Sequence, residues 1–290
     1  ASGRLVALAA PGLSGLERDN VAVKLPAVLG DVLALCVLPW AWRPRWRRGL
    51  MLAAVYWALP VSWLSSAVLG YFDGLLPPFL IVALVAAGAG QASLAGAVLA
   101  LAVLIKPTAA IVAPAVVAAL WRARANLTRG VLAGMAVTAL VFLPYALAGT
   151  AVTAIVHCAR LLLQERLSGG YPNVWWLLGH ALTYASAHGL SGPVVFAHIK
   201  LLLPVPARAV GTLLFVLSAA HLVRRQPPGP RAACLMGGLL FMAYGMLGVG
   251  VHENHPHPLF LLMLAAGLPT RRLRALFAVL ATVYVFDMLA

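Results

Sequence analysis

Residues Gly250–Pro258 read Gly-Val-His-Glu-Asn-His-Pro-His-Pro, so four side chains able to carry a proton or ligate a metal (His252, Glu253, His255, His257) fall within six positions. They sit between two apolar runs in a chain that has only seven acidic residues and eight histidines. Ionisable groups at the end of an apolar segment are costly in a membrane and mark functional positions. Three chemistries fit the types and spacing. An imidazole protonated near neutral pH can meet a phosphate or diphosphate, with Glu253 orienting His252 or a donor group. His and Glu can also ligate zinc, but Pro256 stands four residues after His252 where a helical His pair needs its second histidine. The third reading is a polar loop between helices. Pro256 and Pro258 are expected to stop the preceding helix.

Two further polar sets stand out against the apolar background. Asp73 follows Leu69-Gly70-Tyr71-Phe72, and Lys106 precedes Pro107 between two short apolar runs. Lys106 is a candidate for phosphate binding; its bland alternative is a lysine that snorkels to the interface. Asp73 either shapes the site or caps a helix. Lys24 and Asp31 lie seven residues apart, two helical turns, so they share a face without touching; a structural polar pairing of the two with other spans is favoured over catalysis. Trp175 and Trp176 read as interfacial belt residues, with sugar stacking as the functional alternative.

The elements that must position these groups follow from composition. Of 290 residues, 63% are hydrophobic and 10% charged, against about 25% charged in a soluble domain. The chain is expected to be all-α: a polytopic bundle of about ten transmembrane helices, since backbone polar groups in lipid must be satisfied within helices. Continuous Ala/Leu/Val-rich runs exclude the alternating pattern of a membrane barrel. Spans are expected near 21–38, 49–69, 75–87, 92–105, 108–121, 130–149, 207–223, 232–250, 259–268 and a last one ending near 290, in a single domain over 1–290. Residues 150–206 form a long external loop with interfacial or re-entrant helices, Thr150–Leu167 being amphipathic. The three cysteines show neither a disulfide framework nor a zinc spacing.

The net charge of +14 is topological, not a nucleic-acid footprint. Thirteen of the eighteen arginines fall in four short loops, at 43–48, 122–129, 224–231 and 271–274. Placing the first loop inside and counting helices brings the other three to the same side, in agreement with the positive-inside rule, provided residues 150–206 cross an even number of times or not at all. Asp73, Lys106, residues 150–206 and His252–His257 then share the opposite, external side.

With these residues in order, the chain resembles the integral-membrane glycosyltransferases of the GT-C superfamily, specifically bacterial relatives of the dolichyl-phosphate-glucose- or mannose-dependent transferases. His252-Glu253-Asn254-His255 followed by Pro256 resembles their C-terminal His-Glu motif. Leu69-Gly70-Tyr71-Phe72-Asp73 is similar to their Trp-Gly-Gln-x-Asp element, keeping Gly70 and Asp73. Leu104-Ile105-Lys106-Pro107 resembles the Lys-Pro element, Lys24-Leu25-Pro26 with Asp31 the Lys-x-Pro…Asp opening, and Asn173-Val174-Trp175 the Asn-x-Trp segment.

The resemblance implies an inverting transferase, in the bacterial plasma membrane, acting on the extracytoplasmic face in cell-envelope synthesis. Its partners would be a polyprenyl-phosphate sugar, the lipid bilayer and a glycan, lipid or protein acceptor, with no nucleic acid. Lys106, His252 and His255 become candidates for the donor phosphate, and Asp73, Glu253, Asn173 and Trp175 supporting or acceptor-side residues. No resident cofactor is implied beyond an optional Mg or Mn ion. The family's catalytic carboxylate belongs to a first external loop, and the chain reads as starting after that loop and the span before it, so no catalytic base is assigned. The alternatives are a transporter or flippase of a lipid-linked or small polar substrate, and an inactive assembly subunit of the same family.

Overall fold

The structure is a computed structural model that describes residues 12, 14–162, 171–187, 204–252 and 255–289. Every element among them is helical. In chain order these are α1 (Gly15–Ala41), α2 (Trp46–Ala58), and α3 (Pro60–Trp63) running into a π turn, Leu64–Val68. A 3-10 turn, Phe72–Leu75, leads to α4 (Leu76–Gly88) and α5 (Ala92–Ile105). A second 3-10 stretch, Pro107–Val112, precedes α6 (Ala113–Arg122), α7 (Leu127–Leu147), α8 (Ala151–Leu162) and α9 (Val174–Ala187). The chain finishes with α10 (Pro204–Arg224), α11 (Pro230–Leu247), α12 (His257–Ala266) and α13 (Arg271–Leu289).

Among the described residues, four helices are long and apolar enough to cross a membrane: Gly15–Ala41, Leu127–Leu147, Pro206–Arg224 and Pro230–Leu247. They become five if Trp46–Ala58 and Pro60–Val68, bent by 61° at their break, make one span. That set suits a protein integrated in a lipid bilayer. The count falls short of the expected ten because four of the expected spans are shorter apolar helices, at Asp73–Gly88, Ala92–Ile105, Pro107–Arg122 and His257–Ala266, while α13 opens with three arginines.

Local chemistry explains where the helices differ from expectation. α1 starts six residues before the expected span because Ser14 and Glu17 form a capping box, with Glu17 accepting from the Ser14 N–H at 2.8 Å. The expected straight span at 49–69 is broken at Leu59-Pro60. The residue before a proline avoids the helical region, and Leu59 is extended. The Ser62 hydroxyl donates to the Tyr56 and Leu59 carbonyls at 3.0 and 2.9 Å, satisfying acceptors the break exposes. Pro256 and Pro258 correct another expectation. They do not stop the preceding helix; α11 has already ended at Leu247. Instead they open α12, with Pro256 as its cap and Pro258 in its first turn, where a missing N–H costs nothing.

α12 is the centre of the molecule: each of its residues from His257 to Ala266 is buried, packed against α1, α2, α4, α11 and α13. α7 lies outside, with Gly130 its one buried residue. It approaches α5 so closely that a Cβ on Gly96 would fall 2.0 Å from the Gly130 carbonyl oxygen, the small-residue contact by which helices associate in lipid.

The arginine loops gather at one end. The Trp42 indole N–H donates to the Ala265 carbonyl at 3.0 Å, and Arg48 reaches the Gly267 carbonyl at 3.5 Å. The Arg231 guanidinium stacks 3.8 Å from the Trp42 ring centre. Arg122 donates to the carbonyls of Val223 and Arg224 at 2.8 and 3.1 Å, closing the end of α10. Gly267 adopts a left-handed conformation (φ 86°) and a Cβ there would meet the Trp42 ring at 2.3 Å, so only glycine ends α12 at this contact.

Candidate functional site

The opposite end collects the scarce polar residues. Gly70 turns the chain with φ 71° and lies against the stem of Lys24, whose Cγ would be 3.1 Å from a Cβ at Gly70. The turn delivers Asp73, almost fully buried, to an ion pair with the Lys106 ammonium. Lys106 is placed by Pro107: it is extended (φ −150°, ψ 120°) between α5 and the following 3-10 stretch, as the residue before a proline should be. Lys106 is therefore not the free cation that snorkelling implies; its charge is matched by a buried carboxylate.

Beside this pair lies the loop joining α11 to α12. His255 and His252 stack edge to face with ring centres 5.3 Å apart, and His255 Nδ1 accepts from the His252 N–H at 3.3 Å. Burial holds His255 down to about pKa 3, helped by the positive field of Lys106 and by His252. At neutral pH it is an uncharged imidazole whose Nε2 carries the proton if Nδ1 accepts. Glu253, expected to orient His252, lies outside the described residues, as do Asn254, His188, His198 and Lys200.

Asn173 and Trp175 hold the loop from the other side. The Asn173 amide donates to the Gly245 and Gly248 carbonyls at 3.1 and 2.9 Å, and its oxygen accepts the N–H groups of Trp175 and Trp176, both at 3.0 Å, starting α9. The Trp175 indole donates to the Leu247 carbonyl at 2.6 Å. The end of α11 is thus clamped by residues whose polar atoms are already used. Tyr171 packs against Gly245 beside Pro256. Burial raises its phenol to about pKa 12, with a smaller contribution from Asp287.

Below this layer is a second polar group that the sequence signalled only through Asp31. The Asp31 carboxylate accepts the Tyr56 hydroxyl at 2.6 Å and the Ser66 hydroxyl, joining α1 to both halves of the broken α2–α3 span. Gly74 separates it from Asp73: a Cβ on Gly74 would sit 3.4 Å from Asp31 Oδ1. His257, wholly buried at the start of α12, lies 6.4 Å from the Tyr56 ring and 6.5 Å from that of Tyr284. Its ring also lies against the Asp73 backbone. His257 belongs to the histidine cluster of the sequence, while Tyr56 and Ser66 carry no signal in their apolar runs. The Pro-His-Pro spacing was the available signal for His257, because it places that residue in a first helical turn.

Helical rise gives the depth of each layer. Asp31, Tyr56 and His257 are ten or eleven residues from Trp42, Trp46 and Gly267 at the arginine-rich end, or about 15 Å at 1.5 Å per residue. Lys106 is fifteen residues from Gln91, about 22 Å. The polar residues therefore descend in two layers toward the middle of a core of about 30 Å.

Among the described residues no group of three His, Cys, Asp or Glu side chains is arranged to hold a metal ion. Comparison with protein-family models, with curated proteins and with solved structures finds no match to this chain. The site's own geometry carries the functional reading. It offers a cation beside a carboxylate, a neutral imidazole at His255, and exposed apolar helices on which a lipid can lie.

Proposed function

We propose that this protein is an integral-membrane glycosyltransferase that takes a sugar from a polyprenyl-phosphate carrier and passes it, with inversion, to an acceptor on the extracytoplasmic face. The observation that carries the reading is the meeting of Asp73–Lys106 with His252 and His255 at the end opposite the arginine loops. A polyprenyl-phosphate sugar already holds a leaving group, so the protein's task is to receive negative charge as the carrier phosphate departs. Lys106 supplies the cation and His255 a directed N–H. Asp73 keeps Lys106 in place before the lipid arrives and shares it afterwards. In this reading α1, α2–α3, α4, α5, Pro107–Arg122, α7, α10, α11, α12 and α13 each traverse the bilayer, the shorter ones ending in the recessed polar layer. No described residue is assigned as the base for the acceptor hydroxyl.

The test is transfer from radiolabelled polyprenyl-phosphate hexoses and pentoses by the protein expressed from its complete reading frame. Turnover abolished by Lys106→Gln and lowered by His255→Ala supports the site. Donor consumption by neither wild type nor variants, or full turnover in Lys106→Gln, overturns it.

A second reading, a transporter, is favoured by one observation: a buried carboxylate, Asp31, lies near half depth beside a broken span and a fully buried histidine, an arrangement found where polar substrates or ions cross. Substrate-dependent uptake into proteoliposomes, lost in Asp31→Asn, would establish it in place of the transferase.

A further inference from the structure

At the arginine-rich end, an apolar groove with a volume of about 720 Å³ opens between α6 and α10. Its walls include Pro114, Val117, Trp121, Phe215, Val216 and Ala220, with Arg122 and Arg224 at one end. Val117, Trp121 and Val216 are exposed along it. Pro114 to Arg122 and Phe215 to Arg224 are eight and nine helical steps, about 12 to 14 Å. That is close to half of a core of about 30 Å. The groove therefore runs from the arginine-rich surface to the middle of the bilayer and ends there, the reach of one leaflet's acyl chain.

Charge states what kind of lipid belongs in it. Thirteen arginines lie in the four loops of this end. The five acidic residues among those described lie elsewhere: Glu17 and Asp19 begin α1, Asp31 is near half depth, Asp73 pairs with Lys106, and Asp287 neighbours Tyr171 near the far end of α13. No ion pair between an arginine and a carboxylate is present among the described side-chain salt bridges at this end. Arg224 and Arg225 are exposed next to the groove mouth, and Arg122, already donating to the end of α10, holds that mouth in shape. Basic pockets between membrane helices take up anionic headgroups.

We propose that an anionic phospholipid of the leaflet at the arginine-rich end occupies this groove, its acyl chain between α6 and α10 and its phosphate at Arg224 and Arg225. The site is distinct from the polar layer at the other end and holds whether the protein transfers or transports. It fastens α6, which the 3-10 stretch Pro107–Val112 joins to Lys106, to α10.

The experiment offers phosphatidylglycerol or phosphatidylcholine of identical chains to the delipidated full chain. Retained lipid is counted by native mass spectrometry, and thermal stability is measured in parallel. Each arginine near an anionic headgroup is worth on the order of fivefold in affinity, so retention of phosphatidylglycerol over phosphatidylcholine by roughly tenfold or more is expected. Ala220→Trp and Val117→Trp, each filling the groove, should abolish retention; Arg224→Gln with Arg225→Gln should make the two lipids equivalent. Leu132→Trp, on the exposed face of α7, should change nothing. Equal retention of both lipids by the wild type overturns the proposal, as does undiminished retention in the folded groove-filling variants. A dimer that dissociates when the groove is filled shows that a second copy of the chain is the occupant instead.

Discussion

The Asp73–Lys106 pair yields an asymmetric prediction. Asp73 is 2% exposed and the Lys106 side chain 22%. Removing one partner of a buried pair costs on the order of 3–5 kcal/mol, because the other charge is left uncompensated. Lys106→Gln strands the more buried charge, so its cost should fall within that range, at about 3 kcal/mol or more. Asp73→Asn leaves a lysine that water reaches, and should cost only about 1–2 kcal/mol. The double variant carries no stranded charge and should be more stable than Lys106→Gln alone by about 1 kcal/mol or more. Function should rank differently from stability. A charge-assisted hydrogen bond contributes about 1.5–3 kcal/mol, so Lys106→Gln should weaken polyprenyl-phosphate binding by roughly ten- to 150-fold, whereas Asp73→Asn, which frees Lys106, should bind at least as tightly as wild type. Stability is read by denaturant titration in lipid nanodiscs and affinity by ligand-induced thermal shift. Greater destabilisation by Asp73→Asn than by Lys106→Gln, or unchanged phosphate binding in Lys106→Gln, would refute the reasoning.

Four further outcomes follow from the geometry. Because His255 is held near pKa 3 in the folded protein and is about 6.5 when unfolded, it favours the folded state above pH 6.5 and that contribution is lost as pH falls from 6.5 toward 3; His255→Gln should flatten the acid limb of stability against pH. As an uncharged donor His255 adds no pH dependence to polyprenyl-phosphate binding between about pH 8 and 6, so the binding profile over this interval should be the same in wild type and His255→Gln, and a steeper wild-type profile counts against this role. Gly96→Val drives a side chain into the Gly130 carbonyl and should cost more than about 2 kcal/mol, while Leu132→Val on the outer face of α7 should stay within about 0.5 kcal/mol. Tyr56→Phe leaves the Asp31 carboxylate with one fewer donor and should cost about 1.5–3 kcal/mol, measured in the same titration.

Much of the arrangement was legible in the sequence, for identifiable reasons. Arginines and tryptophans mark the interface at 40–48 whatever the tertiary structure, because charge is expelled from lipid locally, and the structure joins Trp42, Arg48 and Arg231 there. The grouping of Lys106, His252 and His255 followed from counting helix reversals. What escaped were the consequences of backbone chemistry: Pro60 divides a run whose hydropathy is continuous, and Pro256 and Pro258 begin a helix rather than end one. The partners of Asp31 were also hidden. Tyr56 and Ser66 are unremarkable residues in apolar runs, and only the folding of α2–α3 against α1 brings their hydroxyls to one carboxylate.

α5 is about 21 Å long, beside an α1 of about 40 Å. A bilayer meeting so uneven a rim must thin or tilt its lipids toward the shallow side, at a cost of fractions of a kcal/mol for each ångström. That depression lowers the headgroup plane toward Lys106, so the head of a surface lipid meets the ammonium without being lifted out of its own solvent.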